Sequence, residues 1–226
     1  MAKVAVLVDL SFFLMQYGKL RHPQGKPMMA SKVAHVVFNT ARAHVAKEYD
    51  ELYRILVYDC RPLHKKAHNP ISKKAIDFSQ TEMYRFRTEL HSELVCKRKV
   101  ALRLGELAAR SRWVIKEHPT KALLDGQISV SQLTENDVQF EMRQKGVDIK
   151  IGIDIASIAY KRLADRVVLI TGDADFVPAA KLARREGLDV VLDPLWSHIS
   201  PSLNEHIDGL DTKWAKPLAA ESGKKK

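Results

Sequence analysis

Three apolar runs in this chain each lead into an aspartate. Residues 4–8 (Val-Ala-Val-Leu-Val) meet Asp9, residues 53–58 (Tyr-Arg-Ile-Leu-Val-Tyr) meet Asp59, and residues 167–170 (Val-Val-Leu-Ile) reach Asp173 across Thr171-Gly172. Unbroken β-branched and leucine runs of this length are what strands buried on both faces look like. Both faces of such strands need helices over them, which confines the chain to an α/β architecture. If the three strands run parallel, the three acids lie on one rim. Open α/β sheets bind their ligands at that C-terminal edge.

The third run is the most informative. After Ile170 comes Thr171-Gly172-Asp173-Ala174-Asp175-Phe176-Val177-Pro178, and an amphipathic segment continues to Glu186. The pattern reads as buried strand, tight turn and helix. Asp173 and Asp175 are then two carboxylates at a sheet edge. Gathered acids repel one another unless a cation sits among them. Hard cations such as Mg²⁺ take oxygen ligands, commonly one or two carboxylates plus substrate phosphates.

Five segments read as strands: residues 4–8, 55–58, 113–115, 167–170 and 190–192. Helical periodicity lies between them. Val33, Val37, Ala41 and Val45 mark one face of a helix over residues 30–47. Residues 72–109 read as a long helical region, whole or broken once, and residues 149–163 and 176–185 as two more helices. Alternating strands and helices imply βαβ units and a parallel sheet covered on both faces. Residues 22–27 (His-Pro-Gln-Gly-Lys-Pro) read as a turn-rich loop, and residues 117–134 as an inserted loop or short hairpin. The domain reading is one unit over residues 1–212, followed by a basic tail over residues 213–226.

The chain has 226 residues, 46% of them apolar, enough for a proper core. Cys60 and Cys96 show no metal-type spacing and read as free thiols in a reducing compartment. Asp9 interrupts the apolar N-terminus, which argues against a signal peptide there. No stretch approaches the length of a membrane-spanning helix. The expected location is cytoplasmic, with no membrane partner. The net charge of +10 favours polyanions, nucleic acid first and acidic membrane second. Between residues 54 and 121 the basic residues crowd, among them Arg61, Lys65, Lys66, Lys73, Lys74, Arg85, Arg87, Arg98, Lys99, Arg110 and Arg112. A solvated helix face accounts for part of that set.

One more constellation is Lys145-Gly146-Val147-Asp148, followed by Asp154. Gly146 fits a turn and Asp148 the first turn of the next helix. An acid there is favoured by the helix dipole, by a few tenths to about 1 kcal/mol. Taken alone, Asp148 reads as a capping acid. Asp154 lies about 240° further around the helix at 100° per residue. It points either toward the acidic rim or into a neighbouring strand.

Together, Asp9 after its strand, the Lys145–Asp148 motif with Asp154, and the 171–178 motif resemble the NYN domain, a PIN-like family that includes a LabA-like branch. The resemblance runs from about residue 3 to residue 191. It implies a three-layer α/β/α fold of PIN type with a mostly parallel central sheet. It also implies a metal-dependent ribonuclease using Mg²⁺ or Mn²⁺. Asp9, Asp148 and Asp173 would be the principal metal-binding acids, with Asp175, Asp154 and Asp59 supporting. Asp175 would orient a water or help with a second metal. Ser11, Lys145, Thr171, Lys73 and Lys74 are the candidate substrate contacts. Lys145 reads equally well as an exposed lysine, and Thr171 as a strand terminator. The family's first motif usually continues Asp-Gly-x-Asn. Here Leu10 replaces the small residue and Phe12 the amide.

The expected function is cleavage of RNA phosphodiester bonds by this acidic cluster, with the basic residues tracking the backbone. The rival is a non-catalytic RNA-binding or regulatory protein on the same scaffold, favoured by Phe12. A metal-dependent phosphatase of small substrates ranks lower, because the positive surplus suits a polymer, and so does a phosphatase with an aspartyl nucleophile, because Ser11 stands where its second acid would be. His64 and His68, four apart, read as an exposed basic loop rather than a metal pair. Monomer and homodimer stay equally open.

Overall fold

The strand over Ala2–Asp9 (β1) runs through the middle of the sheet because neither of its faces is polar: Val4, Ala5, Val6, Leu7 and Val8 are all buried. Around it the computed structural model describes residues 1–21, 28–107, 112–142 and 144–216, with the backbone alone for Gln144 and Lys145. Helices α1 (Leu10–Arg21) and α2 (Ala30–Ala43) lead to strand β2 (Asp50–Cys60) and the hairpin β3 (Lys66–His68) and β4 (Ala75–Asp77). Then come α3 (Glu82–Val95), β5 (Val100–Leu107), β6 (Arg112–Ile115), α4 (Glu117–Leu124), β7 (Val138–Glu141) and β8 (Gln144–Lys145). The last part holds α5 (Val147–Tyr160), β9 (Arg166–Ile170), α6 (Val177–Arg185), β10 (Asp189–Asp193), α7 (Pro201–Glu205) and β11 (Gly209–Leu210).

The main sheet has seven strands in the order β11-β10-β9-β1-β2-β5-β8. All its pairings are parallel except the short β5–β8 pair. Side chains alternate across a strand, so successive residues of β1 feed two separate cores. Val4, Val6 and Val8 pack with Phe13 of α1, Val33 and Val37 of α2, and Leu90 and Leu94 of α3. Ala5 and Leu7 pack with Ile151, Ile155 and Ile158 of α5 and Val177 and Ala180 of α6. The result is a three-layer α/β/α fold with a mostly parallel central sheet. No helix among the described residues is long and apolar enough to cross a membrane.

Several local readings change. Residues 72–109 are not one helix: α3 stops at Val95 and β5 begins at Val100. The turn between them places Lys99 at a positive φ of 62°, a conformation usually signalled by Gly or Asn. Residues 113–115 are a strand, but β6 pairs only with β7 in a separate two-stranded sheet. The 117–134 segment contains α4, with Pro119 inside its first turn, where a missing N–H costs nothing. Trp214 is buried against Phe13 and Tyr17, and its indole N–H donates to Thr40 Oγ1 at 2.9 Å. The packed unit therefore continues past residue 212. The 22–27 loop, Arg110 and residues 217–226 of the basic tail lie outside the described residues.

Candidate active site

From β1 the chain builds outward in two directions. β2 and β5 lie to one side, and β9, β10 and β11 to the other. The crevice at the C-terminal ends of β1 and β9 is thus a topological switch point, where open sheets place ligands because the flanking connections diverge. Register pairs Val8 with Ile170 and Asp9 with Tyr58. Asp9 therefore stands between the end of β2 and the Thr171-Gly172-Asp173 turn.

Asp9 is the residue at which strand becomes helix. Its Oδ1 accepts the Phe12 N–H at 3.0 Å, which caps α1. Burial pushes its carboxyl up to about 6, against the lowering effect of the Phe12 and Ser11 amides and with help from the charges of Asp148 and Asp173.

Asp148 lies in the first turn of α5, after Gly146 at a φ of 82°. A capping acid would be stabilised as the anion by the helix dipole. Asp148 behaves oppositely: burial raises its carboxyl, and the charges of Asp173 and Asp175 raise it further. Burial first, and the neighbouring acids second, therefore disfavour its charge.

The third motif is a folded turn. Thr171 is buried and its Oγ1 accepts the Asp173 N–H at 3.2 Å. Asp173 Oδ1 accepts the Asp175 N–H at 3.0 Å, capping a single 3₁₀ turn over Ala174–Phe176. Asp173 and Asp175 are both exposed, while Phe176 plugs the core beneath them. The fold thus brings Asp9, Asp148, Asp173 and Asp175 into one electrostatic neighbourhood.

Two other acids have different company. Asp154 accepts from the Tyr58 hydroxyl at 2.9 Å and from Arg103 Nε at 3.0 Å. Burial and Asp154 together push the Tyr58 phenol far up, so it stays a donor. Asp154, a candidate metal ligand by resemblance, is thereby a partner to a buried hydroxyl and a guanidinium. Asp59 is fully enclosed, with Arg87 Nη1 at 2.6 Å and His91 Nε2 at 2.7 Å. Burial would raise Asp59, but the hydrogen bond from His91 and the charge of Arg87 outweigh it and hold the carboxyl low. Ser11 Oγ donates to Asp59 Oδ1 at 3.3 Å, so the hydroxyl faces this ion cluster.

The basic residues do not form one surface. Lys73, at a φ of 60°, turns the β3–β4 hairpin and its Nζ donates to Pro70 O at 2.7 Å. Lys74 pairs with Glu135 at 3.0 Å. Arg98 and Lys99 precede β5, at the edge of the sheet opposite the acids. Arg61 and Lys65 follow β2 on the acidic side. The Lys145 backbone pairs with Glu106, and its side chain lies outside the described residues. His68 sits in strand β3, so helical spacing does not relate it to His64.

The donor set suits a hard cation: carboxylate oxygens, two of them, on Asp9 and Asp148, belonging to carboxyls whose charge is disfavoured as the protein stands. Among the described residues no three carboxylates, imidazoles or thiols are drawn together into a finished cage. The acids gather at the switch point of the sheet.

Three features lay beyond the sequence reading. The Arg87–Asp59–His91 cluster needed partners from a helix that begins 22 residues after the strand ends. A cavity of about 440 Å³ opens beside that cluster. Phe12 lies directly on Gly172.

These observations define a three-layer α/β protein with a carboxylate crevice at its switch point. The NYN domain matches residues 76–205, more than half of the chain, and the chain belongs to this family of PIN-like nucleases. Asp148, Asp173 and Asp175 fall inside the matched span, and Asp9 precedes it. No curated protein matches the sequence. Among solved structures it is similar to a protein of unknown function from Vibrio parahaemolyticus RIMD 2210633. That similarity has 15% identity and a TM-score of 0.46, and covers 94% of this chain and 93% of the other.

Proposed function

We propose that this chain is a Mg²⁺- or Mn²⁺-dependent ribonuclease. The observation that carries the reading is the gathering of Asp9, Asp148, Asp173 and Asp175 at the switch point, where burial first and neighbouring acids second disfavour the charge of Asp9 and Asp148. A protein gains nothing in stability from such an arrangement, so the arrangement points to a cation. Asp9, Asp148 and Asp173 would hold it, and Asp175, anchored through its own amide to Asp173, would orient a water. A bound divalent ion would activate water and offset charge on the phosphodiester. Thr171 keeps Asp173 in place through the turn. Arg61 and Lys65 are better placed than the ion-paired Lys74 to meet the RNA backbone.

The test is incubation of labelled single-stranded and structured RNA with the protein in Mn²⁺, Mg²⁺ or EDTA. Metal-dependent cleavage lost in Asp9→Asn is the expected result. RNA that binds but is never cut with either metal would overturn the reading. The second reading, an RNA-binding or regulatory protein without catalysis, is favoured by Phe12, whose ring rests on Gly172 where the family carries a polar amide.

A further inference from the structure

The cavity beside the Asp59 cluster is formed by the end of β2, the start of α3 and the segment entering the β3–β4 hairpin. Its volume, about 440 Å³, falls within the range of about 300–1,000 Å³ typical of small-ligand sites. Leu63, Phe78, Met83 and Tyr84 give it apolar and aromatic walls. Arg61 and Arg87 give it two guanidinium groups, and Asp59 lies at its base.

This cavity is joined to the acidic crevice. Asp9 is bonded to the Ser11 amide, the Ser11 hydroxyl is bonded to Asp59, and Asp59 lines the cavity. Asp9 and Tyr58 are register partners on adjacent strands, and such strands lie about 4.8 Å apart. The Asp59 end of the cavity therefore lies within a strand spacing or two of Asp9.

The aromatic surface continues outward. Tyr84 meets His64 with ring centroids 6.2 Å apart, and Phe78 meets Phe140 at 4.8 Å. Lys65 Nζ sits 5.5 Å over the Phe140 ring. Aromatic faces interleaved with cations suit single-stranded nucleic acid, where bases stack and phosphates meet the charges. A base inside a duplex cannot enter a concave pocket without leaving its stack.

We infer that this cavity is a nucleobase-binding pocket that seats one unpaired base of an RNA strand beside the acidic crevice. The inference rests on the proposed nuclease reading for its polymer, but not on catalysis. An apolar peptide would use the walls and leave the Arg61 guanidinium unmatched, Arg87 being held by Asp59. A nucleotide uses both, the base against the walls and the phosphates against Arg61 and the Lys65 side.

The experiment measures binding in EDTA by fluorescence anisotropy. A single-stranded RNA oligonucleotide is compared with copies carrying one abasic site at each position in turn, and with its duplex. Wild-type protein should lose roughly tenfold in affinity at one abasic position, the scale of a lost base stack, and should bind the duplex more weakly than the single strand. Leu63→Trp, which fills the cavity, should weaken single-strand binding by a similar factor and erase the dependence on abasic position. Uniform affinity across the abasic series overturns the pocket, and this arm needs no variant. Failure to bind single-stranded RNA at all overturns both the pocket and the RNA reading. Parallel cleavage assays in Mn²⁺ separate the two claims. A position-dependent abasic effect without cleavage leaves the pocket standing and removes the nuclease, whereas cleavage without that effect does the reverse.

Discussion

The ring of Phe12 covers Gly172 so closely that a Cβ on residue 172 would fall 2.7 Å from Phe12 Cε2 and 3.2 Å from Cζ. The two residues belong to the two motifs that frame the acidic crevice, one at the start of α1 and one after β9. Gly172 does not occupy a left-handed backbone conformation, so its lack of a side chain is explained by this contact alone. Gly172→Ala should cost about 1–3 kcal/mol through overpacking. The same change in a Phe12→Ala background should cost far less. Urea unfolding of the four proteins in this cycle gives the coupling directly; additive losses would show that the ring yields freely.

Asp173 and Asp59 should respond in opposite ways to loss of charge. Asp173→Asn keeps an oxygen for the Asp175 N–H and removes repulsion from Asp148. Melting temperature without metal should stay level or rise, and stabilisation by Mn²⁺ should disappear, a usual conflict between stability and function. Asp173→Ala should also lose the cap, at about 1 kcal/mol. A large drop in apo stability for Asp173→Asn would make Asp173 a structural acid.

Asp59→Asn leaves Arg87 and His91 facing a buried neutral group. Breaking a buried pair costs about 3–5 kcal/mol, and the partial exposure of Arg87 puts the expected loss near the lower end. The increment in melting temperature added by Mn²⁺ should be unchanged. A variant as stable as wild type would contradict the structural role given to this cluster.

What the sequence made legible follows from range. Strands buried on both faces show as continuous apolar runs, so β1, β2, β9 and the acids after them could be placed from residues alone. The start of β5 was hidden because Lys99, not Gly, occupies the positive-φ position of its turn. Asp59 looked like a rim acid because its partners stand 28 and 32 residues away on another element. Asp154 was ambiguous for the same reason: helical angle gave its direction, but only the fold supplied Tyr58 and Arg103. The substitution at Phe12 was visible, whereas its contact with Gly172 needed the parallel alignment of β1 and β9.

The raised carboxyl of Asp9 sets a pH dependence. Its folded value, about 6, lies above its ordinary 3.8, so between these values the folded state holds a proton that the unfolded state has lost. Stability therefore falls as pH rises through this window, and is lower above about 6. The full effect is about 3 kcal/mol at about 1.4 kcal/mol per pH unit. Asp9→Asn should remove this slope while keeping an oxygen to cap α1. Denaturant midpoints for both proteins from pH 4 to pH 8 in EDTA measure it. Equal slopes would mean that Asp9 ionises without penalty. Mn²⁺ should stabilise the wild type chiefly above pH 6, where the carboxylate is available.

Phe12 gives the sharpest separation of enzyme from binder. In the proposed site the acids carry cleavage and the cations carry affinity. Asp9→Asn should therefore abolish cleavage in Mn²⁺ and leave RNA affinity equal or higher, because one negative charge near the phosphate is gone. Arg61→Glu with Lys65→Glu should weaken binding and flatten its salt dependence, since fewer counterions are released. The pair Lys73→Glu and Lys74→Glu should do less, because Lys74 is already matched to Glu135. Phe12→Asn restores a polar group beside Gly172 and should raise turnover while changing affinity little. If wild type cuts slowly and Phe12→Asn cuts faster, the ring is a brake on a working site. If neither protein cuts any of several RNAs that both bind, the acids serve no cleavage and the scaffold-binder reading replaces the nuclease.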